Sequence, residues 1–282
     1  MKITPTIRQL RMLASVKGQQ WLIREDKLQE FALQALELQE PCEGLEIDIS
    51  DLYTMRKPVE MTPDGVAVIQ IRGALMHEAP GIYEKLGMVT RYSTIIDEIS
   101  TAEDAGAQGI FFEIDSPGGT VAGCIEAARA IAAITVPTLG YCSGMACSAA
   151  YKLAAGMDGL VATPSAQVGN IGTILSWMDC TEFWREMGVE MKAITSEGAD
   201  LKSTFHLEPD EKQVAFLQDG VNEAGEMFRE WVSTHRNVSP EVFRAGWYSG
   251  DHAEMLGLTD GQASRAEALA NLTFAAGGGL SA

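Results

Sequence analysis

A serine and a cysteine stand side by side in the segment Cys142-Ser-Gly-Met-Ala-Cys-Ser-Ala-Ala-Tyr151, where an apolar run gives way to small residues. This pattern predicts a strand followed by a helix, with Ser148 at the amino end of the helix. The partial positive charge there favours an alkoxide or an oxyanion, which suits a nucleophilic hydroxyl. A simpler interpretation is that Ser148 only caps the helix. Cys147 is a rival nucleophile, but the sequence places no histidine beside it.

A second loop, Asp115-Ser-Pro-Gly-Gly119, follows another apolar run and precedes a helix-forming segment. Adjacent glycines let the backbone approach a ligand closely, and the amides of Gly118 and Gly119 can converge on an anionic oxygen. The same composition is also typical of an ordinary tight turn. The loop is therefore a candidate oxyanion site only if it meets the serine loop in the fold.

A serine nucleophile needs a base, and the sequence offers histidines and lysines. No histidine lies beside a feature that would orient it; the four are His77, His206, His235 and His252. A buried lysine can act instead, because desolvation favours the neutral amine. Lys202 lies in the polar segment 197–204, where by itself it would be an ordinary surface lysine.

Apolar runs and helix-forming segments alternate from residue 66 onward, which predicts a parallel sheet with flanking helices. The predicted strands are 66–71, 109–114, 138–142 and 159–162, and the predicted helices are 120–133, one opening near 147, and 209–235. Three regions follow from this organisation. We expect a helical amino-terminal arm over residues 1–60, a catalytic domain over 61–265, and a flexible small-residue tail over 266–282.

Four motifs in a fixed order resemble the signal-peptide-peptidase A family of serine peptidases. They are similar above all to its phage and prophage branch, the head-maturation (capsid assembly) proteases. The motifs are Asp115–Gly119, Gly144–Tyr151, Val168-Gly-Asn-Ile-Gly172 with Lys202-Ser203, and Arg244–Gly250 with Gly257-Leu-Thr-Asp260. The resemblance covers about residues 65–261. It implies an α/β fold of the Clp-protease/crotonase type, mainly a parallel sheet with flanking helices and a helical carboxyl-terminal part.

The resemblance also implies roles for individual residues. Ser148 would be the nucleophile, Lys202 the general base, and the Gly118 and Gly119 amides the oxyanion hole. The chain departs from the family at Ala149-Ala150, where two glycines are usual, and at Asn170, where a serine usually positions the lysine. The Asn170 carbonyl can still accept a hydrogen bond from a lysine, so we expect the orienting role to persist.

The composition restricts the partners. The formal net charge is −18 and the pI is near 4.6, which disfavours nucleic acid and anionic membranes as direct partners. Five scattered cysteines and the absence of a long apolar run favour a reducing cytoplasm, the host cytoplasm for a viral protein. No spacing predicts a metal site or a phosphate loop, so we assign no metal and no cofactor.

The sequence therefore predicts a serine endopeptidase that acts on protein or peptide substrates as a homo-oligomeric ring. The predicted substrates are scaffold, portal or coat proteins of virus or prophage head assembly. Three alternatives remain open from the sequence: a host cytosolic peptidase, a crotonase-type acyl-CoA enzyme, and an inactive assembly or scaffolding protein.

Overall fold

A computed structural model describes residues 20–23, 56–176, 181–190, 192–202 and 208–277 of the 282-residue chain. Its strands are β1 (Gln20–Ile23), β2 (Glu60–Met61), β3 (Val66–Arg72), β4 (Ala74–Met76), β5 (Val89–Arg91), β6 (Gly109–Ser116), β7 (Gly118–Thr120), β8 (Thr138–Cys147), β9 (Gly159–Ala162), β10 (Gln167–Gly169), β11 (Ile174–Leu175), β12 (Trp247–Ser249) and β13 (Gly261–Gln262). Its helices are α1 (Gly81–Lys85), α2 (Tyr92–Asp104), α3 (Cys124–Ala132), α4 (Ala149–Ala155), α5 (Thr181–Glu186), α6 (Glu211–His235), α7 (Gly250–Met255) and α8 (Arg265–Ala276), with a 3₁₀ turn at Pro240–Arg244.

The larger sheet has the strand order β12-β10-β8-β6-β3-β2, and β9 and β13 branch from β8. The pairs β3–β6, β6–β8, β8–β9 and β8–β10 are parallel, which confirms the predicted mainly parallel sheet. The apolar runs of β3 and β6 are buried almost throughout, as expected for strands covered on both faces. The four strands predicted from the sequence are all present in this sheet.

The smaller sheet has the order β11-β1-β7-β4-β5. It contains the glycines of the Asp115–Gly119 loop, because Gly118–Thr120 forms β7 rather than the start of a helix. The helix predicted over 120–133 therefore begins only at Cys124, after Gly123 has turned the chain with a left-handed φ of 84°. Glycine adopts this conformation without strain.

Helix α4 runs through the centre of the core, and each of its seven residues is buried. Alanine at four of these positions keeps the helix thin, which lets it pack against α3, α6 and β7. From residue 208 onward α6, α7 and α8 confirm the predicted helical carboxyl-terminal part, to which β12 and β13 add short strands. Among the helices that the structure describes, none combines the length and the apolar character needed to cross a membrane.

The predicted flexible tail over 266–282 is wrong for most of its length. Residues up to Ala276 form α8, which begins at a capping box between Ser264 and Glu267. Ala268 and Leu272 are buried against the outer face of the sheet. The small residues suggest a linker, but alanine is the best helix former and the capping box defines the start of the helix. Residues 278–282 lie outside the described residues.

The predicted helical arm over 1–60 is also wrong where it can be compared. Gln20–Ile23 is a strand that pairs with two other strands, and Glu60 begins β2. Short apolar segments do not distinguish helix from strand by spacing alone, and here backbone pairing decides. Residues 1–19 and 24–55 lie outside the described residues, so the arm as a whole stays a prediction.

If α8 is part of the core, Leu272→Ala should lower the free energy of unfolding by about 2–4 kcal/mol, as leucine truncations in cores do. Leu272 is 4% exposed, whereas Phe274 on the same helix is 61% exposed. Phe274→Ala is therefore the matched control, with an expected change within about 0.5 kcal/mol. Equal effects of the two substitutions in denaturant titrations would contradict the packing of α8.

Candidate active site

Ser148 joins β8 to α4 with backbone angles φ 53° and ψ −119°, which L-residues rarely adopt. Its side chain is 1% exposed and makes no capping hydrogen bond to the helix, so the simple capping interpretation is wrong. The Ser148 amide donates to the Gly169 carbonyl at 2.7 Å, which fixes the turn. The hydroxyl makes only a long contact of 3.5 Å with the Gly172 carbonyl, and it is therefore weakly held.

Three non-glycine residues of the described chain have a positive φ, and they lie together: Ser148, Asn170 and Ala245. The Asn170 amide donates to the Gly246 carbonyl at 2.7 Å, and its side-chain Nδ2 donates to the Ala245 carbonyl at 2.8 Å. Each such conformation costs on the order of 1–3 kcal/mol and persists only where the surroundings fix it. Strain concentrated around one serine marks this position as a candidate active site.

Asn170 lies at the site, and its amide orientation fits the predicted role. Because Nδ2 is used by the Ala245 carbonyl, the carbonyl Oδ1 is the end left to accept a hydrogen bond from a lysine. Asparagine also tolerates the left-handed conformation better than serine does. The departure from the family pattern at this position therefore has a structural reason.

Helix α4, which begins directly after Ser148, contacts β7, the strand that carries the two glycines. Gly119 passes so close to β4 that a β-carbon there would stand 1.7 Å from the Leu75 carbonyl oxygen, so only glycine fits. The Gly118 amide donates to Ser116 Oγ at 3.2 Å, and that hydroxyl donates to the Gly73 carbonyl at 2.7 Å. The predicted oxyanion role is therefore weaker for Gly118, whose N–H is already used.

Asp115 connects the two motif loops, a role that the sequence reasoning missed. Its Oδ1 accepts a hydrogen bond from the Met145 amide at 3.0 Å. A β-carbon at Gly144 would stand 2.3 Å from the same oxygen, so the glycine makes room for the carboxylate. The sequence signal for this contact was an aspartate just after one predicted strand and a glycine just after the next.

Lys202 lies apart from Ser148 in the described chain. Its side chain is exposed, and no hydrogen bond of Ser148 involves it. Its backbone amide donates to the Ala199 carbonyl, and its own carbonyl accepts from Gln213 Nε2 at 3.3 Å. The segment is thus held at the start of α6, where Gln213 completes a capping box with Asp210. Among the described residues no hydrogen bond joins Ser148 and Lys202, and the dyad stays a prediction.

A different lysine is buried near Ser148 in the sequence, on α4. Lys152 follows Ser148 by one helical turn and is 3% exposed, with its Nζ 5.5 Å from the centre of the Phe228 ring. Burial lowers the pKa of Lys152, and the nearby Cys124 thiol and Glu126 carboxylate partly oppose this effect. Its charge interactions point to α3 and α6, away from the Ser148 hydroxyl. Sequence reasoning did not single out Lys152.

Cys147 is a poor nucleophile in this geometry. It is fully buried at the end of β8, and its Sγ stands 3.4 Å from the Gln167 carbonyl oxygen as a hydrogen-bond donor. The adjacent strand residue Cys142 is buried as well, and burial raises the pKa of its thiol. A reactive thiolate needs an exposed, electropositive position, which neither cysteine has.

Comparisons with known proteins agree with this geometry. Residues 130–277, more than half of the chain, match the sequence profile of peptidase family S49. The chain belongs to this family. The S49 match includes Ser148, Asn170 and Lys202, and a second match, to Clp protease, covers residues 68–168 with Gly118, Gly119 and Ser148. The fold is therefore Clp-protease-like.

Individual relatives of this S49 chain come from phages and bacteria. Capsid assembly protease C of Escherichia phage lambda is 30% identical over 205 residues, which cover 70% of this chain and 46% of that protein. Head-tail preconnector protein GP5 of Enterobacteria phage P21 is 27% identical over 219 residues, or 75% and 43% of the two chains. Protease 4 of Salmonella typhi is 28% identical over 221 residues, or 74% and 34%. The chain spans less than half the length of these relatives.

The buried charge of Lys152 gives a stability prediction. Lys152→Met keeps the apolar stem and removes the amine, so it should raise the free energy of unfolding on the order of 1 kcal/mol at neutral pH. Because the folded-state pKa of Lys152 is lowered, the unfolded chain binds the proton more tightly. The free energy of unfolding of the wild type should therefore rise relative to that of the variant as the pH increases. The rise should occur between the lowered folded-state pKa and the unfolded-state pKa of about 10.4.

The measurement is the difference between the two unfolding free energies at several pH values. It should shrink from about pH 7 to about pH 10, because the folded chain loses the Lys152 proton in this range while the unfolded chain still keeps most of its own. Other groups that titrate in this range cancel in the difference. A constant difference would contradict a cost from the buried charge.

Proposed function

We propose that this chain is a serine endopeptidase in which Ser148 is the nucleophile and Lys202 the general base. The observation that carries the proposal is the conformation of Ser148, a strained residue at a helix amino terminus whose hydroxyl neither caps the helix nor forms a short hydrogen bond. Structural serines have no need of such strain. Membership of a peptidase family supports peptide hydrolysis over acyl-CoA chemistry.

In the proposed reaction, the neutral amine of Lys202 takes the proton from Ser148 Oγ as the oxygen attacks the scissile carbonyl. The developing oxyanion would face the Gly119 amide and the amide of Ala149. The latter is the first residue of α4, where a helix leaves its N–H groups without partners. The lysine then gives its proton to the leaving amine, and water hydrolyses the acyl-enzyme.

An exposed lysine cannot readily act in this way, because water stabilises its charged form. We infer that a neighbouring copy of the chain completes the site. Apolar side chains are exposed in the segments on either side of Lys202 in the sequence, among them Ile194, Leu201, Val214 and Phe216. Exposed apolar side chains that form a patch are typical of an interface. A cyclic homo-oligomer would cover it and desolvate the lysine.

A buried hydroxyl supports the same inference. Thr173 Oγ1, next to Gly172 in the turn that contacts Ser148, is buried without a hydrogen-bond partner in the described chain. An unpaired buried hydroxyl costs about 1–3 kcal/mol. An ammonium or amine that enters from a neighbouring subunit would satisfy Thr173 together with Asn170 Oδ1. We propose Thr173 Oγ1 and Asn170 Oδ1 as the acceptors for a lysine that is supplied from outside.

The proposed substrates are proteins of virus or prophage head assembly, such as scaffold, portal or coat proteins. The support is similarity to a capsid assembly protease and a head-tail preconnector protein. A host peptidase is the second candidate, favoured by similarity to Protease 4. Incubation with purified scaffold, portal and coat proteins would decide between them, since only the head-assembly role requires their specific cleavage.

The dyad is tested by four variants and two readouts, casein hydrolysis and labelling by a fluorophosphonate. Ser148→Ala and Lys202→Arg should each lower activity about a thousandfold or more, because arginine keeps the charge but cannot lose its proton. Cys147→Ala and Lys152→Met should keep most of the activity. Wild-type activity should rise with pH, since only a neutral amine accepts the serine proton. Activity retained in Ser148→Ala would overturn the assignment. Loss of activity in Lys152→Met but not in Lys202→Arg would also overturn it.

The shared site is tested by mixing subunits. Ser148→Ala and Lys202→Ala proteins are each inactive, and they are unfolded mildly, combined in equal amounts and reassembled. If each site takes its serine and its lysine from different chains, random mixing should restore about a quarter of the wild-type activity. Native mass spectrometry shows whether mixed assemblies have formed. Mixed assemblies without activity would place both residues in one chain.

A further inference from the structure

The outer face of the larger sheet, against which α8 packs, is covered by that helix over only part of its length. The helix begins at Arg265, which pairs with Glu113 in the middle of β6, and it ends at Ala276, beside Gly109 at the start of β6. Beyond Glu113, toward the carboxyl ends of the strands, the described residues leave a cavity of about 310 Å³. The polar side chains that line it are Arg72, Glu113, Asp115, Tyr141, Ser143 and Arg265.

The cavity lies on the face of the sheet opposite to α4. Alternate residues of a strand share a face, and the parallel register of β3 and β6 places Arg72 beside Asp115. The residues that precede them, Ile71 and Ile114, belong to the core cluster that contains α4. The sheet therefore separates the cavity from the helix that follows the proposed nucleophile, and the cavity is a second, distinct site.

Both carboxylates of the lining are directed to partners in the cavity wall. Glu113 pairs with Arg265 through one oxygen, and its other oxygen accepts a hydrogen bond from Gln70 Nε2 at 3.1 Å. Asp115 Oδ1 accepts from the Met145 amide at 3.0 Å. No cluster of acidic, histidine or cysteine side chains in the described part of the chain could hold a metal ion. The acidic groups thus belong to the wall and do not form a cation site.

The hydrogen-bond donors of the lining, by contrast, lack partners. Arg72 bonds to Thr90 Oγ1 through its backbone, but its guanidinium forms no hydrogen bond or ion pair with a described residue. Nor do the hydroxyls of Tyr141 and Ser143 form a hydrogen bond within the described ranges. A guanidinium with two hydroxyl donors in one cavity is complementary to a carboxylate, which accepts two parallel hydrogen bonds from arginine.

The cavity favours the end of a peptide as the bearer of this carboxylate. Strand β6 lies between β3 and β8, so its backbone groups are paired on both sides and a peptide cannot be added there as a strand. Recognition must therefore use side chains. A volume of about 310 Å³ is at the lower end of the ~300–1,000 Å³ range of small-ligand pockets. It suits one or two terminal residues better than a chain that must enter and leave.

We propose that this cavity binds the carboxyl-terminal carboxylate of a peptide. Arg72 pairs with the carboxylate, and Tyr141 and Ser143 donate further hydrogen bonds to it. The site holds a protein by its carboxyl terminus at a point away from Ser148, so it favours substrates or partners that present a free carboxyl end. It needs no nucleophile, and it therefore stands or falls independently of the proposed function.

The test measures binding to full-length Ser148→Ala protein, in which the proposed nucleophile cannot consume the probe. The probe is fluorescein-Ala-Ala-Ala-Leu with a free carboxyl end, and a second probe has the same sequence with a terminal carboxamide. Fluorescence polarisation should show at least tenfold tighter binding of the free acid, because the amide lacks the charge that pairs with Arg72. Equal affinities, or no binding of the acid up to about 1 mM, would overturn the proposal.

Substitutions in the same Ser148→Ala background locate the binding. Arg72→Gln should weaken binding of the free acid at least tenfold, and Ser143→Ala should weaken it about fivefold through the loss of one hydrogen bond. Arg129→Gln is the control, because it changes the net charge equally but lies exposed on α3, which packs on the opposite face of the sheet. Thermal unfolding checks that each variant is folded, and Ser143→Ala decides alone if Arg72→Gln is not. Affinities equal to that of the control would overturn the site.

A third probe separates a chain end from an acidic side chain. Fluorescein-Ala-Ala-Ala-Asp with a terminal carboxamide carries its carboxylate on the side chain only, and it should bind as weakly as the leucine carboxamide. Affinity equal to that of the free acid would show that the cavity takes a side-chain carboxylate and would overturn the assignment to a chain end.

Discussion

The left-handed backbone at Ser148 is the constraint on which the site depends. It turns the chain sharply from β8 into α4, so that the hydroxyl lies at the helix amino terminus while the amide stays bonded to Gly169. The conformation is unfavourable for serine, and the strand on one side and the buried helix on the other supply the energy that holds it. Substitutions that loosen α4 should therefore affect the nucleophile before they affect the sheet.

The carboxyl-terminal motif explains how the strain is held. The Ala245 and Gly246 carbonyls accept the side-chain and backbone N–H groups of Asn170, and β12 pairs with β10 directly beside them. Residues about 75 positions away in the sequence thus hold the turn at Asn170, and this turn holds Ser148 in its conformation. The carboxyl-terminal motif contains neither the proposed nucleophile nor the proposed base. The site needs it because it forms one side of the site.

The sequence predicted what local patterns determine. Continuous apolar runs predicted the buried strands, and the order of motifs predicted the family and the position of the candidate nucleophile. It did not predict the tail helix, whose alanines are equally common in linkers, or the strand at Gln20–Ile23, which exists only through pairing with β7 and β11. It also missed Asp115 and Lys152, because a loop carboxylate and a helical lysine acquire their surroundings only from the tertiary fold. Backbone strain at Ser148 has no signature in residue types.

The proposed site carries two separate restraints on premature hydrolysis. The groove between β7 and β11 is filled by β1, and the proposed base Lys202 stays exposed until something covers it. Subunit association is reversible and depends on concentration, so the second restraint is released only where copies of the chain are close together. A chain with net charge −18 repels its own copies, so association needs the apolar surface near Lys202 or a high local concentration. A growing protein shell would supply such a concentration, so these restraints fit the proposed role in head assembly.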